Sequence, residues 1–232
     1  MAFESLREAN MHRQREWDAG GEANNADWRM NELAGECGEV CNVLKKINRE
    51  RVGVPGSRAT KADLAEELAD VVICIDLYQM TTGGREVTSS NDVGYLAAYS
   101  LTHLGVHLQA AIGRAATRLV LNPTVTGEDQ HVSFVGLLDV CRGIAKREGI
   151  DLTMAVAQKF NATSKKMGLE TMMNLTNDAK PDEPLPEGVW YDAGSGTFRK
   201  RGSDEDMGEA FWKKWRGRNH QFPITSTGND PK

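Results

Sequence analysis

Proline is nearly missing from most of this 232-residue chain: ahead of Pro181 there are only Pro55 and Pro123. No ring blocks the backbone ladder in the stretches between them. They are rich in Ala, Leu, Glu and Lys, which favour helix. Cysteine is scarce as well. Four cysteines without a Cys-x-x-Cys make no disulfide framework; they read as small buried hydrophobes in a reducing cytoplasm, not as zinc ligands. No apolar run approaches the length of a membrane span. The charged opening, MAFESLREANMHRQREW, has no apolar stretch of the kind a signal peptide needs. An excess of positive charge is also lacking. The 28 Lys and Arg stand against 33 Asp and Glu, for a net charge of −5. That argues against a general nucleic-acid coat and leaves room only for a local basic patch.

What is present is helical periodicity. We expect an all-α fold with helices at about 3–17, 28–50, 61–81, 92–121, 133–148 and 151–167. Asp27 is placed to cap the second, and Thr60 with Asp63 reads as a capping box for the third. The breaks are RVGVPGSRAT, Thr81 to Asn91, Leu121 to Gln130 and Gly149 to Ile150, and Gly168 suits the end of the sixth helix. Composition shifts near residue 177, dividing a helical domain, 1–176, from an appendage, 177–232. Asp178 to Glu187 holds three prolines, four acids and one lysine, as a linker does. VWYDAGSGTFRKRG then reads as a small hairpin, DEDMGEAFWKKWRGRN as a short helix, and the last dozen residues as a loose end.

The second and third helices repeat one pattern at an offset of 31 residues. Leu33, Cys37, Val40, Leu44 and Ile47 form an apolar seam on one. Leu64, Leu68, Val71, Ile75 and Tyr78 form its counterpart on the other. One residue ahead of each seam runs an acidic stripe: Glu32, Glu36 and Glu39, then Asp63, Glu67 and Asp70. Joined by a loop of about ten residues, the two helices should form an antiparallel hairpin. Glu36/Glu39 and Glu67/Asp70 are equidistant from the loop's centre, near residue 53. Glu36 should therefore face Asp70, and Glu39 should face Glu67.

Four crowded carboxylates repel unless protons or cations neutralise them. Oxygen-only ligands suit hard divalent ions, Mg²⁺ first with Mn²⁺ as a substitute. Metals roughly 3.5–4 Å apart can clamp a phosphoanhydride and generate a hydroxide. A di-iron centre would want Glu-x-x-His on these helices, and neither carries a histidine. The competing reading is that the acids form salt bridges with Lys45, Lys46, Arg49 or Lys61 on solvated faces.

The blocks NELAGECGEVCNVLKK and LAEELADVVICIDL, with RQREW upstream and GIDLTMAVAQKFNATSKKMGL downstream, resemble the phage-type members of the MazG family of all-α nucleoside triphosphate pyrophosphatases. The resemblance covers about 3–80 and 149–171. It implies hydrolysis of a nucleoside triphosphate to monophosphate and pyrophosphate with Mg²⁺, in a homodimer or tetramer whose subunits complete each other's sites. Glu36, Glu39, Glu67 and Asp70 would hold the metals, with Glu36 the candidate to orient the attacking water. Lys159, Asn161, Lys165 and Lys166 fall where the family contacts phosphate and sugar. Arg13 and Trp17 fall in the block that lines the base pocket. The implied location is the cytoplasm, the host's for a phage-encoded chain. Two departures stand out. About 65 residues, Thr82 to Arg147, separate blocks that are usually close, and about 55 follow the last block. The insert reads as a helical pair that covers the base pocket or enlarges the dimer interface.

Other features have plainer readings. His103 and His107 have metal-ligand spacing but sit among Leu101, Leu104, Leu108 and Ile112, and a packed or interface position is expected. Trp17 reads equally as a base-stacking and as a core residue, and Trp28 more as core. Lys159 to Lys166 reads equally as a phosphate contact and as a solvated basic face. The tail from Arg199 to Arg218 has seven Lys/Arg, four acids and three interleaved aromatics. Stacking on nucleic acid is its sharper reading and an accessory module its plainer, favoured one. Two alternatives to the pyrophosphatase stand beside it. One is a non-catalytic helical interaction module with a basic-aromatic binding element. The other is a hydrolase for a modified nucleotide or an alarmone.

Overall fold

The fold is taken from a computed structural model, which describes residues 5–18, 21, 24–88 and 92–175 and the backbone of 2–3, 189–192 and 197–200. The chain divides into two units, Met1–Ala179 and Lys180–Lys232. Among its described residues, the regular structure of the first is helical apart from one two-residue strand pair. Its elements are β1 (Ala2–Phe3), α1 (Leu6–Trp17), α2 (Ala26–Arg51), α3 (Lys61–Thr81), a 3-10 turn (Leu96–Ala98), α4 (Leu101–Leu121), α5 (Gly127–Glu148), α6 (Leu152–Met167) and β2 (Met172–Met173). In the second, β3 (Val189–Asp192) pairs antiparallel with β4 (Thr197–Lys200), the hairpin expected from the sequence. The expected linker, short helix and tail lie outside the described residues.

Helices α2 and α3 form the expected hairpin. Every residue of both predicted seams is buried. The Thr60–Asp63 capping box starts α3, and Gly168 closes α6 in the left-handed region at φ 70°. Four boundaries differ. Helix α1 starts at Leu6, capped by Ser5, and Phe3, expected in it, lies in β1. Asn25, not Asp27, caps α2, its side chain accepting from the Trp28 amide. Residues 92–100 are not helix: α4 starts at Leu101, capped by Ser100. The 3-10 turn ahead of it lies against α5, where a Cβ on Gly143 would stand 2.6 Å from Leu96 Cβ. Helix α5 starts six residues earlier than the apolar pattern suggested, because a second capping box, Thr126 with Asp129, sets its N-terminus. Gly127 lets that end close on the α3 terminus: its amide donates to Thr82 O at 3.1 Å. A Cβ there would lie 2.6 Å from Gln79 Oε1.

Segment 82–147 is not an addition to a finished bundle. Leu104, Leu108 and Ile112 of α4 and Phe134, Leu137 and Ile144 of α5 share one core with both seams. Helix α3 is central. Its Leu64–Tyr78 seam faces that core. A second row, Ala69, Ile73 and Leu77, packs with Ala9, Val156, Phe160 and Met173 in another. Helix α3 is thus held between α2 on one side and α1 with α6 on the other. Among the described residues no helix is long and apolar enough to cross a membrane.

Candidate metal centre

Because α3 is packed on both sides, the acids between its two apolar rows lie where side chains of α2 and α6 meet it. Glu36 of α2 and Glu67 and Asp70 of α3 place one oxygen each within 4.8 Å of one another. All three are half-buried. Glu39 adjoins them through a hydrogen bond and charge repulsion with Glu67. Asp63, the first acid of the α3 stripe, does not join: its carboxylate is taken by the Thr60 amide at 2.7 Å and hydroxyl at 2.9 Å.

The electrostatics follow from this crowding. Burial first, then the charges of Asp70, Glu39, Glu67 and Glu32, push the Glu36 carboxyl up to about 7. Burial and the neighbouring Glu39 push Glu67 up to about 7 as well. Asp70 is also raised, by burial, although Lys159 Nζ lies 2.8 Å from its Oδ2. One ammonium therefore does not neutralise the cluster. For Lys159 itself, burial works to lower the pKa, but the bond to Asp70 and the charges of Asp70, Glu66 and Glu67 outweigh it, and the net shift is upward. Lys159 also reaches Glu66 at 3.5 Å. The donors are all oxygen, and the single ammonium of Lys159 leaves the site with an excess of negative charge. Both properties fit a hard divalent cation better than zinc or iron.

The remaining predicted residues separate into those near the cluster and those elsewhere. Arg13 is buried, its Cζ 3.6 Å from the centre of the Phe160 ring. It donates to Phe160 O at 3.3 Å and Asn10 Oδ1 at 3.4 Å. Burial lowers its pKa to about 10, against the opposing charges of Cys74, Asp70 and Glu32. Trp17 lies beside it, 47% exposed, with its ring 5.8 Å from Arg13 Cζ. Lys165 and Lys166 are exposed in the last turn of α6. Asn161 departs from the expected phosphate or sugar contact. It is buried, donates to Met173 O at 2.9 Å and accepts from Met173 N at 2.6 Å. Its amide is spent on tying β2 to α6. Trp28, expected in the core, is 56% exposed. Cys37, Cys74 and Cys141 are buried and Cys41 partly so, all free thiols.

The sequence reading missed Arg29. It is buried on α2, donating to Glu32 Oε2 at 2.8 Å and to Gln14 Oε1 at 2.6 Å. It anchors Glu32, the acid one turn before Glu36, and links α2 to α1. Its i,i+3 spacing from Glu32 was visible, but such pairs are so common on solvated faces that the spacing alone carries little weight.

Comparison with protein-family models, curated proteins and solved structures finds no match to this chain.

Proposed function

We propose that this protein is a MazG-like nucleoside triphosphate pyrophosphohydrolase, converting an NTP or dNTP and water to the monophosphate and pyrophosphate with Mg²⁺, or Mn²⁺ in its place. The observation that carries the reading is the convergence of Glu36, Glu67 and Asp70 within 4.8 Å on two packed helices. A solvated salt-bridge face would leave such acids near their ordinary pKa, whereas two of these are raised to about 7. When bound, Mg²⁺ would offset phosphate charge and make a water more acidic. Glu36, Glu67 and Asp70 are its ligands, with Glu39 completing the set across from Glu67. Glu36 orients the attacking water. Lys159 trades its bond to Asp70 for one to a phosphate oxygen. Lys165 and Lys166, exposed in the last turn of the same helix, add positive charge for the phosphates, and the Arg13–Trp17 pair serves the nucleoside. The cytoplasm, the host's for a phage-encoded enzyme controlling a nucleotide pool, belongs to the same reading.

Phosphorus NMR of a reaction with Mg²⁺ should show monophosphate and pyrophosphate as first products, and excess chelator should stop turnover. Orthophosphate and a nucleoside diphosphate would show the scissile bond to be wrong. A protein that binds no Mn²⁺ would make the acids structural.

The proposal includes a second copy of the chain, in a homodimer or tetramer. Val106, Val120 and Leu121 of α4 and Val132 of α5 are 64–81% exposed, and symmetric assembly is the common way to cover such faces. Light scattering of the active protein at micromolar concentration should give at least twice the 25.5 kDa chain mass. A single-chain mass with full turnover would refute it.

A further inference from the structure

Helix α4 carries a feature that the proposed chemistry does not use. Its inner face, with Leu101, Leu104 and Leu108, is buried in the core. His103 and His107 are not packed there, as the neighbouring leucines had suggested, but are exposed on its outer side. Their Nε2 atoms lie 3.0 Å apart. The Tyr99 ring lies against both imidazoles, 4.7 Å from the His103 ring centre and 5.8 Å from that of His107. The backbone beneath is fixed as well, since Ser100 accepts from the His103 amide.

We propose that His103 and His107 form a two-nitrogen chelate for a borderline divalent cation such as Zn²⁺ or Ni²⁺, distinct from the carboxylate centre. Metal–imidazole bonds of about 2.0–2.1 Å with ligand angles between square and tetrahedral set two nitrogens roughly 2.9–3.4 Å apart. The pair already stands at that separation, 3.0 Å. The two Nε2 atoms face each other at hydrogen-bond distance, one donating and the other accepting, so a small rotation of the rings turns both toward one metal. On binding, the donating ring moves its proton from Nε2 to Nδ1, and both Nε2 lone pairs go to the metal. No net proton is released from the neutral pair. Tyr99 acts as a positioning residue, its ring limiting the rotation of both imidazoles. The donor chemistry separates the two centres: neutral imidazole suits late transition metals, while the oxygen cluster suits Mg²⁺. Two protein ligands leave positions for water or for a donor from another molecule.

The test is calorimetric titration of untagged full-length protein with Ni²⁺ in millimolar Mg²⁺. The expected result is a binding event that His103→Gln and His107→Gln each weaken by about tenfold or more, because each removes the chelate and its effective concentration. Glu67→Gln should leave that event unchanged. Both histidines are exposed, so Tm should not move in the histidine variants. Tyr99→Ala should weaken Ni²⁺ binding with both ligands still present. Ni²⁺ binding that survives His103→Gln at full strength, or no binding at micromolar concentration, would overturn the assignment.

Discussion

Glu67→Gln should lower turnover by two to four orders of magnitude while raising the Tm of the metal-free protein at pH 8. On the proposed function, the first effect follows from losing a charged metal ligand, which costs several kcal/mol of transition-state stabilisation. The second follows from the burial of these carboxyls and, after it, the repulsion among them. Glu36 and Glu67 stand at about 7 in the folded chain, well above the ordinary 4.5. The folded state therefore binds protons more tightly than the unfolded one. Stability is highest below pH 4.5 as far as these groups are concerned, declines as pH rises from there to about 7, and stays low above it. Replacing one carboxylate by an amide removes part of that penalty. Both carboxyls keep solvent access, which screens the repulsion, so the relief should be on the order of 1 kcal/mol. For a domain of this size that is about 2–4 °C. Thermal melts of wild type and variant at pH 5.5 and pH 8, in chelator and in Mn²⁺, read all of this together. Wild type without metal should melt lower at pH 8 than at pH 5.5, and Mn²⁺ should restore it. The variant should show a smaller pH difference and little response to Mn²⁺. Unchanged turnover, or a variant less stable than wild type at pH 8 in chelator, would remove the metal centre from the account.

The carboxylate cluster was legible because two independent patterns coincide on the same helices. The seam from Leu33 to Ile47 and the seam from Leu64 to Tyr78 fix which faces meet. The acids one residue ahead then have to stand at the edge of the contact. A hairpin loop with equal spacing on both sides brings Glu36 to Asp70 and Glu39 to Glu67. Such local periodicity survives folding because it is what the folding buries. What could not be read depends on a third partner. Asp63 falls on the same stripe as Glu67 but is taken by a cap, and spacing does not distinguish the two uses. Asn161 lies two residues from Lys159, and only the return of the chain at Met172–Met173 decides that its amide is structural. The parallel pairing of β1 with β2 joins residues some 170 positions apart in two-residue strands, too short for any alternation to register. The start of α4 was missed because the helical pattern has no proline to stop it. Ser100 can end or continue a pattern, and it is the docking of the preceding turn on Gly143 that settles the matter. The dual burial of α3 was missed for the same reason. Its second row, Ala69, Ile73 and Leu77, gains meaning only when α6 is placed against it.

Asp76→Ala should cost about 3–5 kcal/mol of stability and release α1 first. Helix α1 has twelve residues, of which only Ala9, Asn10 and Arg13 are buried. A helix that short is marginal alone, and its apolar contact is small. Polar bonds to α3 make up much of its attachment. Arg7 Nε donates to Asp76 Oδ1 at 2.7 Å, and Asn10 Nδ2 donates to Asp76 Oδ2 at 2.9 Å. Arg7 Nη1 also reaches Gly84 O at 3.2 Å. Asp76 is 4% exposed and Asn10 0%. Removing the carboxylate leaves a mostly buried guanidinium and a fully buried amide facing a gap, the situation in which breaking a buried pair is most costly. Asp76→Asn keeps one acceptor and the shape, and should fall between the two. Urea unfolding gives the free energy, and hydrogen exchange shows where it is lost: amides of 9–17 should lose protection before those of α2 and α3. The consequence reaches the site through Arg13, which α1 places over Phe160 and within the field of Asp70. In the variant, KM for nucleotide should rise more than kcat falls, because the carboxylates on α2 and α3 stay where they are. A loss below 1 kcal/mol, or protection lost evenly across all helices, would mean that apolar packing around Ala9 holds α1 and that the Asp76 bonds are incidental.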